Sequence, residues 1–272
     1  MDRLEKAIEK ARAERATVNP SLMNPSLSGA AALARGAAPA FNGRSTPVFA
    51  PPSPSGDEPD EAQMERNRVV AHHTRSPEAD IYRQLRTQVL HIMNKEGWRS
   101  LAITSPNYGD GKTTVALNLG ISIALDLKQT VMLVDLDLRK PAMHRYLGLN
   151  PTVGLTDYLV KGVPLTDCLT RPPFERLNTL PAGSALDNSS ELLASPRMIA
   201  LAHELKTRYP DRLIIYDMPP VLNQDDPIAF LPQVDAVLVV VRDGVTRSDD
   251  LKRCLANLAA ANVIGTVLNV CQ

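Results

Sequence analysis

The segment SPNYGDGKTT, residues 105–114, sets two glycines, a lysine and two threonines close together between the apolar run LAIT and the helix-like VALNLGISIALDL. Gly109 and Gly111 let the backbone turn tightly with its N–H groups pointing inward, and Asp110 lies between them. A helix starting near Lys112 adds its own free N–H groups and the positive end of its dipole. At these positions Lys112 can reach the β and γ phosphates of a nucleotide, and the Thr113 hydroxyl can ligate Mg²⁺. Gly111, Lys112, Thr113 and Thr114 fit the end of a P-loop; the first consensus glycine is replaced by Pro106. A plain turn ahead of a helix accounts for the glycines alone. The strand-before, helix-after context favours phosphate binding.

A phosphate loop needs acidic partners to hold magnesium and orient the attack. In VMLVDLDLRKP an apolar run ends at Asp135, and Asp137 follows two residues later. That spacing sends both carboxylates to one side of an extended chain. In RLIIYDMPP, Asp217 ends a second apolar run, and Pro219 and Pro220 then stop the strand. A single Asp after a strand is commonly a turn or cap residue. Two such strand ends in this order after a P-loop make a nucleotide and metal constellation.

The elements that must position these groups are readable from periodicity. SPEADIYRQLRTQVLHIMNKEG opens with a capping serine and a proline at the first helical position. Ile81, Leu85, Val89 and Ile92 form its apolar stripe. Strands are expected at 100–105, 130–135, 176–182, 212–217, 236–241 and 263–269, with helices between most of them. Several strands are continuous apolar runs, as in a sheet covered on both faces. The expected core is α/β, a doubly wound, mostly parallel sheet over 76–272, with ligands beyond the carboxyl ends of the strands.

Upstream, residues 1–17 read as a short amphipathic helix, with Leu4, Ala7, Ile8 and Ala11 on one face. Residues 18–75 are rich in Pro, Ser and Ala and read as a disordered linker, and HHTR at 72–75 as a solvated loop. The 30 basic and 30 acidic residues balance, which gives no global attraction to nucleic acid. The three cysteines form neither a metal pattern nor a disulfide framework, which suits a reducing compartment. The start is too charged for a secretory signal, and no apolar run approaches the ~20 residues of a membrane span. A cytoplasmic protein is expected, recruited to the inner membrane by a partner.

With these motifs in place the chain resembles the bacterial tyrosine kinases of capsule and exopolysaccharide loci. VMLVDLDLRKP resembles their second nucleotide motif and IIYDMPPV their Walker B segment. LPAGSALDNSSELLASPRM and EADIYRQLRTQVL resemble their signature and first core helix. The likeness covers 76–270 and is to the cytosolic CpsD/CapB type, whose sheet is that of ParA/MinD-like P-loop NTPases. It implies ATP and Mg²⁺ as cofactors and a membrane polysaccharide co-polymerase, or chain-length determinant protein, as partner. It implies that Lys112 and the Gly109–Gly111 backbone hold phosphate, that Thr113, Asp135 and Asp217 surround Mg²⁺, and that Asp137 takes the tyrosine proton. Arg139 supports those carboxylates or contacts substrate, and Asn269 matches a position that contacts adenine.

The family packs subunits into a ring through Glu-x-x-Arg-x-x-Arg; here Asp80, Arg83 and Arg86 stand there, and Asp shortens the reach by one methylene. The resemblance also implies a tyrosine-rich tail, yet no tyrosine follows Tyr216. Transfer to another protein, transfer to an internal tyrosine such as Tyr108, or a nucleotide switch without transfer are the readings this leaves. A ParA/MinD-like ATPase is disfavoured, because those proteins carry a lysine early in the loop where Asn107 stands.

Overall fold

The structure is a computed structural model that describes residues 61–126, 129–209 and 211–270. The helix expected over 1–17 and the linker over 18–60 lie outside the described residues.

Six strands form one all-parallel sheet: β1 Ser100–Thr104, β2 Thr130–Asp135, β3 Leu177–Leu180, β4 Arg212–Asp217, β5 Ala236–Arg242 and β6 Val263–Asn269. Their spatial order is β3-β2-β4-β1-β5-β6, so the chain winds to one side of β1, returns, and continues to the other. This is the doubly wound topology the alternating pattern predicts, and its switch point lies beside β1. Strand β1 is buried throughout, β2 and β4 from their second residue on, and β5 over its first five residues, which is why they read as apolar runs.

The two faces of the sheet carry separate cores. Leu101, Ile103, Leu133, Ile215 and Leu238 pack on one side, and Ala102, Met132, Val134, Ile214 and Val239 on the other. Helix α3, Lys112–Ala124, lies over the first face and is buried at every position except Thr114. A Cβ on Gly120 would stand 3.1 Å from the Leu133 side chain, so a glycine there allows this close helix-to-strand approach.

Helix α2, Pro77–Glu96, packs along α3. Its ends follow the sequence signals: the Ser76 hydroxyl accepts from the Ala79 amide at 3.2 Å, and Gly97 closes the helix at φ 69°. The apolar stripe is rotated from the expected one. Ile81 is 63% exposed, and the buried side is Ala79, Val89 and Met93, with Tyr82 and Leu85 packed against the core. Both stripes share Leu85 and Val89, but the seam also takes in Arg86, whose guanidinium donates to the Ser122 carbonyl at 2.8 Å. An apolar count passes over an arginine that covers the seam with its stem.

The linker boundary at residue 75 is corrected. Helix α1, Glu61–Arg66, and the strap that follows are packed, with Met64, Val69 and Ala71 in the core of the first face. His72 is half-buried against Phe174, at 6.0 Å between ring centroids, instead of lying in a solvated loop. Asn118 of α3, fully buried, fastens the strap. Its Oδ1 accepts from the Val70 and Ala71 amides at 2.7 and 2.8 Å, and its Nδ2 donates to the Arg68 and Thr114 carbonyls, both at 2.8 Å.

Replacing Asn118 by alanine takes the acceptor from the buried Ala71 amide and the part-buried Val70 amide, and a donor from the Arg68 and Thr114 carbonyls. The expected cost is about 3 kcal/mol, read as a lower urea midpoint with an unchanged slope. An unchanged midpoint would mean the strap contributes nothing to the stability of the core.

Candidate active site

The P-loop connects β1 to α3 beside the switch point. Gly109 and Gly111 take φ of 83° and 96°, the left-handed region that favours glycine. Gly111 is required twice over, because a Cβ there would fall 1.9 Å from Asn269 Nδ2. Asp110 shapes the loop from within: its carboxylate accepts from the Asn107 amide and the Thr246 hydroxyl, both at 2.8 Å. Its carbonyl accepts from Asn269 Nδ2 at 3.0 Å, which brings the end of β6 onto the loop.

The strand register supplies the acids. Asp135 and Asp217 are paired neighbours at the carboxyl ends of β2 and β4, and the next strand over is β1, which leads into the loop. Lys112, 8% exposed, reaches into this corner. Its Nζ lies 3.0 Å from Asp137 Oδ2, 3.8 Å from Asp217 Oδ1 and 3.5 Å from Thr113 Oγ1. Lys112, the Asp135–Asp137 pair and Asp217, from three stretches of chain, thus converge in one corner.

Charge explains the unusual protonation here. Burial alone lowers the Lys112 pKa; Asp217 and then Asp137 outweigh it and hold the ammonium above the ordinary lysine value. Burial, reinforced by neighbouring Asp217, pushes Asp135 up to about 7. Burial likewise raises Asp217, and neither of its carboxylate oxygens has a hydrogen-bond partner among the described residues. Two adjacent buried carboxylates, one of them facing Lys112 with no hydrogen bond to either oxygen, beside the Thr113 hydroxyl form an oxygen donor set that suits a hard divalent cation.

A pH dependence of the ligand-free protein follows. Between about 3.9, the unfolded value, and the folded value of about 7, folded Asp135 keeps a proton that the unfolded chain releases. Its contribution to stability therefore falls as pH rises through that window and is level above it. Denaturation of wild type and Asp135→Asn across the window should show the steeper decline in wild type. Parallel curves would contradict the assignment.

Gly109, Gly111 and Lys112 open onto a cleft of about 380 Å³ that Thr113, Thr114, Asp137 and Asn269 also line, while Asp135 and Asp217 are buried. No family model matches the chain. It is 31% identical over 210 residues to the tyrosine-protein kinase YwqD of Bacillus subtilis, a match covering 76% of this chain and 87% of that protein. The chain belongs to the bacterial tyrosine kinase family.

A second relative of this kinase family is the putative tyrosine-protein kinase EpsB of Ralstonia solanacearum, 32% identical over 187 residues. That match spans 69% of this chain but 24% of EpsB. Among solved structures, the chimerical protein CapA2B2 superposes with a TM-score of 0.69 at 29% identity, covering 75% of this chain and 89% of that one. The kinase domain of the Escherichia coli tyrosine kinase ETK superposes with the same TM-score of 0.69 at 26% identity, covering 75% and 79%. The septum site-determining protein MinD of Pyrococcus horikoshii, solved with Mg-ADP, matches at a TM-score of 0.52 and 26% identity, covering 63% and 70%. The sheet is therefore common to tyrosine kinases and MinD-type ATPases.

Not every residue expected in this kinase site is gathered there. Arg139 turns to a different network: its Nε donates to Ser189 Oγ at 2.8 Å, and its Nη2 lies 3.3 Å from Asp225 and 3.6 Å from Asp226. Of its two expected roles, support of Asp135 or Asp137 is not among these contacts, which leaves contact with substrate. It ties the end of β2 to the helices Ser189–Leu193 and Asp226–Phe230. On α2, Asp80 and Arg83 pair with each other, while Arg86 is committed to α3.

Sequence reasoning missed Gln224. Its Nε2 lies 3.4 Å from Asp137 Oδ1 and also donates to the Tyr108 hydroxyl. It missed Lys140, whose ammonium sits 4.2 Å from the Tyr108 ring centroid, and Arg242, which lines the cleft. Lys140 stands inside the quoted RKP and was legible as a charge near the site; Gln224 carried no local signal.

Proposed function

We propose that the chain binds ATP with magnesium and transfers the γ-phosphate to a protein tyrosine, regulating the polymerisation and export of an exopolysaccharide or capsule together with a membrane co-polymerase. The observation that supports this most is the convergence of Lys112, Asp135, Asp137 and Asp217 at the P-loop. In this reading the loop amides of Gly109–Gly111 and Lys112 hold the phosphates. Thr113, Asp135 and Asp217 hold Mg²⁺, which when bound neutralises charge on the phosphate chain. Asp137 accepts the proton of the tyrosine hydroxyl, within 3.0 Å of the cation that anchors the phosphate. Gln224 and the Lys140 amide, which donates to Asp137 Oδ1 at 3.1 Å, fix that carboxylate in place. Asn269 borders the nucleotide from the end of β6.

Tyr216 is fully buried, so the accepting tyrosine is not there. Asn107, where MinD-type ATPases have a lysine, is bonded to Asp250 at 3.1 Å, which favours transfer over a partition-type ATPase cycle. Asp80 and Arg83 remain at the surface of α2 for contact between subunits of a ring. Among the described residues no helix is long and apolar enough to cross a membrane; in this reading the co-polymerase recruits the chain to the inner membrane.

Radiolabelled ATP, incubated with the full chain and the cytosolic part of a co-polymerase, tests the proposal. Phosphotyrosine that vanishes when Mg²⁺ is chelated is the expected result. ADP release without any labelled protein would overturn the kinase reading.

A further inference from the structure

The strap that precedes the core reaches the nucleotide cleft. Arg66 and Arg68 line it together with Thr114 and, elsewhere on its wall, Lys140 and Arg242. The turn that presents them is well defined. The Val69 amide donates to the Met64 carbonyl at 2.8 Å and the Arg68 amide to the Glu65 carbonyl at 2.9 Å, the paired bonds of a Schellman motif. The residue after the cap in this motif is usually glycine, because it needs a positive φ. Here it is Arg68, at φ 59°, the one non-glycine residue with positive φ among the described residues.

A strained backbone position that keeps a long cationic side chain at the rim of a ligand cleft points to a use for that side chain. The strap is also held in register with the loop helix, since the Arg68 carbonyl and the Thr114 carbonyl accept from the same Asn118 amide group.

We infer that the Arg66–Arg68 turn is a second anion-binding element of the cleft, whose guanidinium groups contact the phosphate chain of the nucleoside triphosphate from the side opposite Lys112. The inference rests on the nucleotide reading of the site. It makes ATP affinity depend on a segment that a chain cut at Ser76 would lose. Guanidinium groups suit this task because they bind phosphate oxygens in pairs and keep their charge at any working pH.

The test uses the full chain, a fluorescent ATP analogue, and titrations at low and high salt. Arg68→Gly relieves the backbone strain and removes only the side chain, so the ligand-free protein should unfold at the same temperature as wild type or higher. Its ATP affinity at low salt should fall by about tenfold, as should that of Arg66→Ala. Arg68→Lys should recover only part of the affinity, because it keeps the charge and loses the paired contact, and the loss in Arg68→Gly should shrink at high salt. An Arg68→Gly chain that binds ATP as tightly as wild type overturns the inference, and so does a loss independent of salt. Lys112→Met separates the two levels. If it weakens ATP binding while Arg68→Gly does not, only the role of the strap falls; if wild type fails to bind the analogue, or Lys112→Met binds it unchanged, ATP is not held at this loop and the reading of the site falls too.

Discussion

Replacing Lys112 by methionine lowers tyrosine phosphorylation on the order of 10³-fold and destabilises the ligand-free protein. Both effects come from the same geometry. The ammonium is the cation within 4 Å of Asp137 and Asp217, and the side chains of all three are at most one-tenth exposed. Without it the developing charge on the transferred phosphate loses its fixed counter-charge, and the buried carboxylates lose theirs. Breaking a buried pair by removing one partner costs about 3–5 kcal/mol. Protonation softens that cost, so the loss of stability is greatest above about pH 7, where Asp135 also ionises. A phosphotransfer assay and urea denaturation at two pH values check both parts. A variant that keeps its activity, or whose destabilisation grows as pH falls, would contradict this account.

Asp217→Asn should separate activity from stability. Asp217 sits beside Asp135 in the strand register, both are buried, and both are raised by that burial. An amide of nearly the same shape removes one of two adjacent negative charges and leaves Asp137 paired with Lys112. The ligand-free protein should gain on the order of 1–2 kcal/mol. Phosphotransfer should fall about 10²–10³-fold, because an amide is a much weaker ligand for a hard dication than a carboxylate. Denaturation without metal and a magnesium titration of activity measure the two terms. If Asp217→Asn were both less stable and fully active, the carboxylate would be a structural group and not a metal ligand. In the proposed reading, wild type thus carries a cluster of like charges that a bound Mg²⁺ would relieve, a common arrangement where function opposes stability.

Much of this was readable before any fold was considered. The runs TVMLVD, RLIIYD and VIGTVLN became strands with the bounds their sequence suggests, because a β-branched run ended by Asp, Pro or Asn carries both its pattern and its stop. The caps of α2 were legible in Ser76, Pro77 and Gly97 for the same reason: each acts on backbone within four residues of itself. Lys112, Thr113, Asp135 and Asp217 were legible because a parallel sheet brings the carboxyl ends of its strands to one edge whatever the loops do.

The tertiary structure alone decided which side chains meet across the fold. The strap at 61–75 looks like an extension of its Pro- and Ser-rich neighbourhood, and its place depends on Met64, Val69 and Ala71 fitting the core and on Asn118, 48 residues beyond Val70. Gln224 reaches Asp137 across 87 residues, and Arg139 finds Ser189 across 50. Local sequence sets backbone preference and the points where strands end; it carries no record of distant partners, which are chosen by how two helical layers close on the sheet. The chemistry of this chain was therefore written at its strand ends, and the company each charged group keeps was settled by packing.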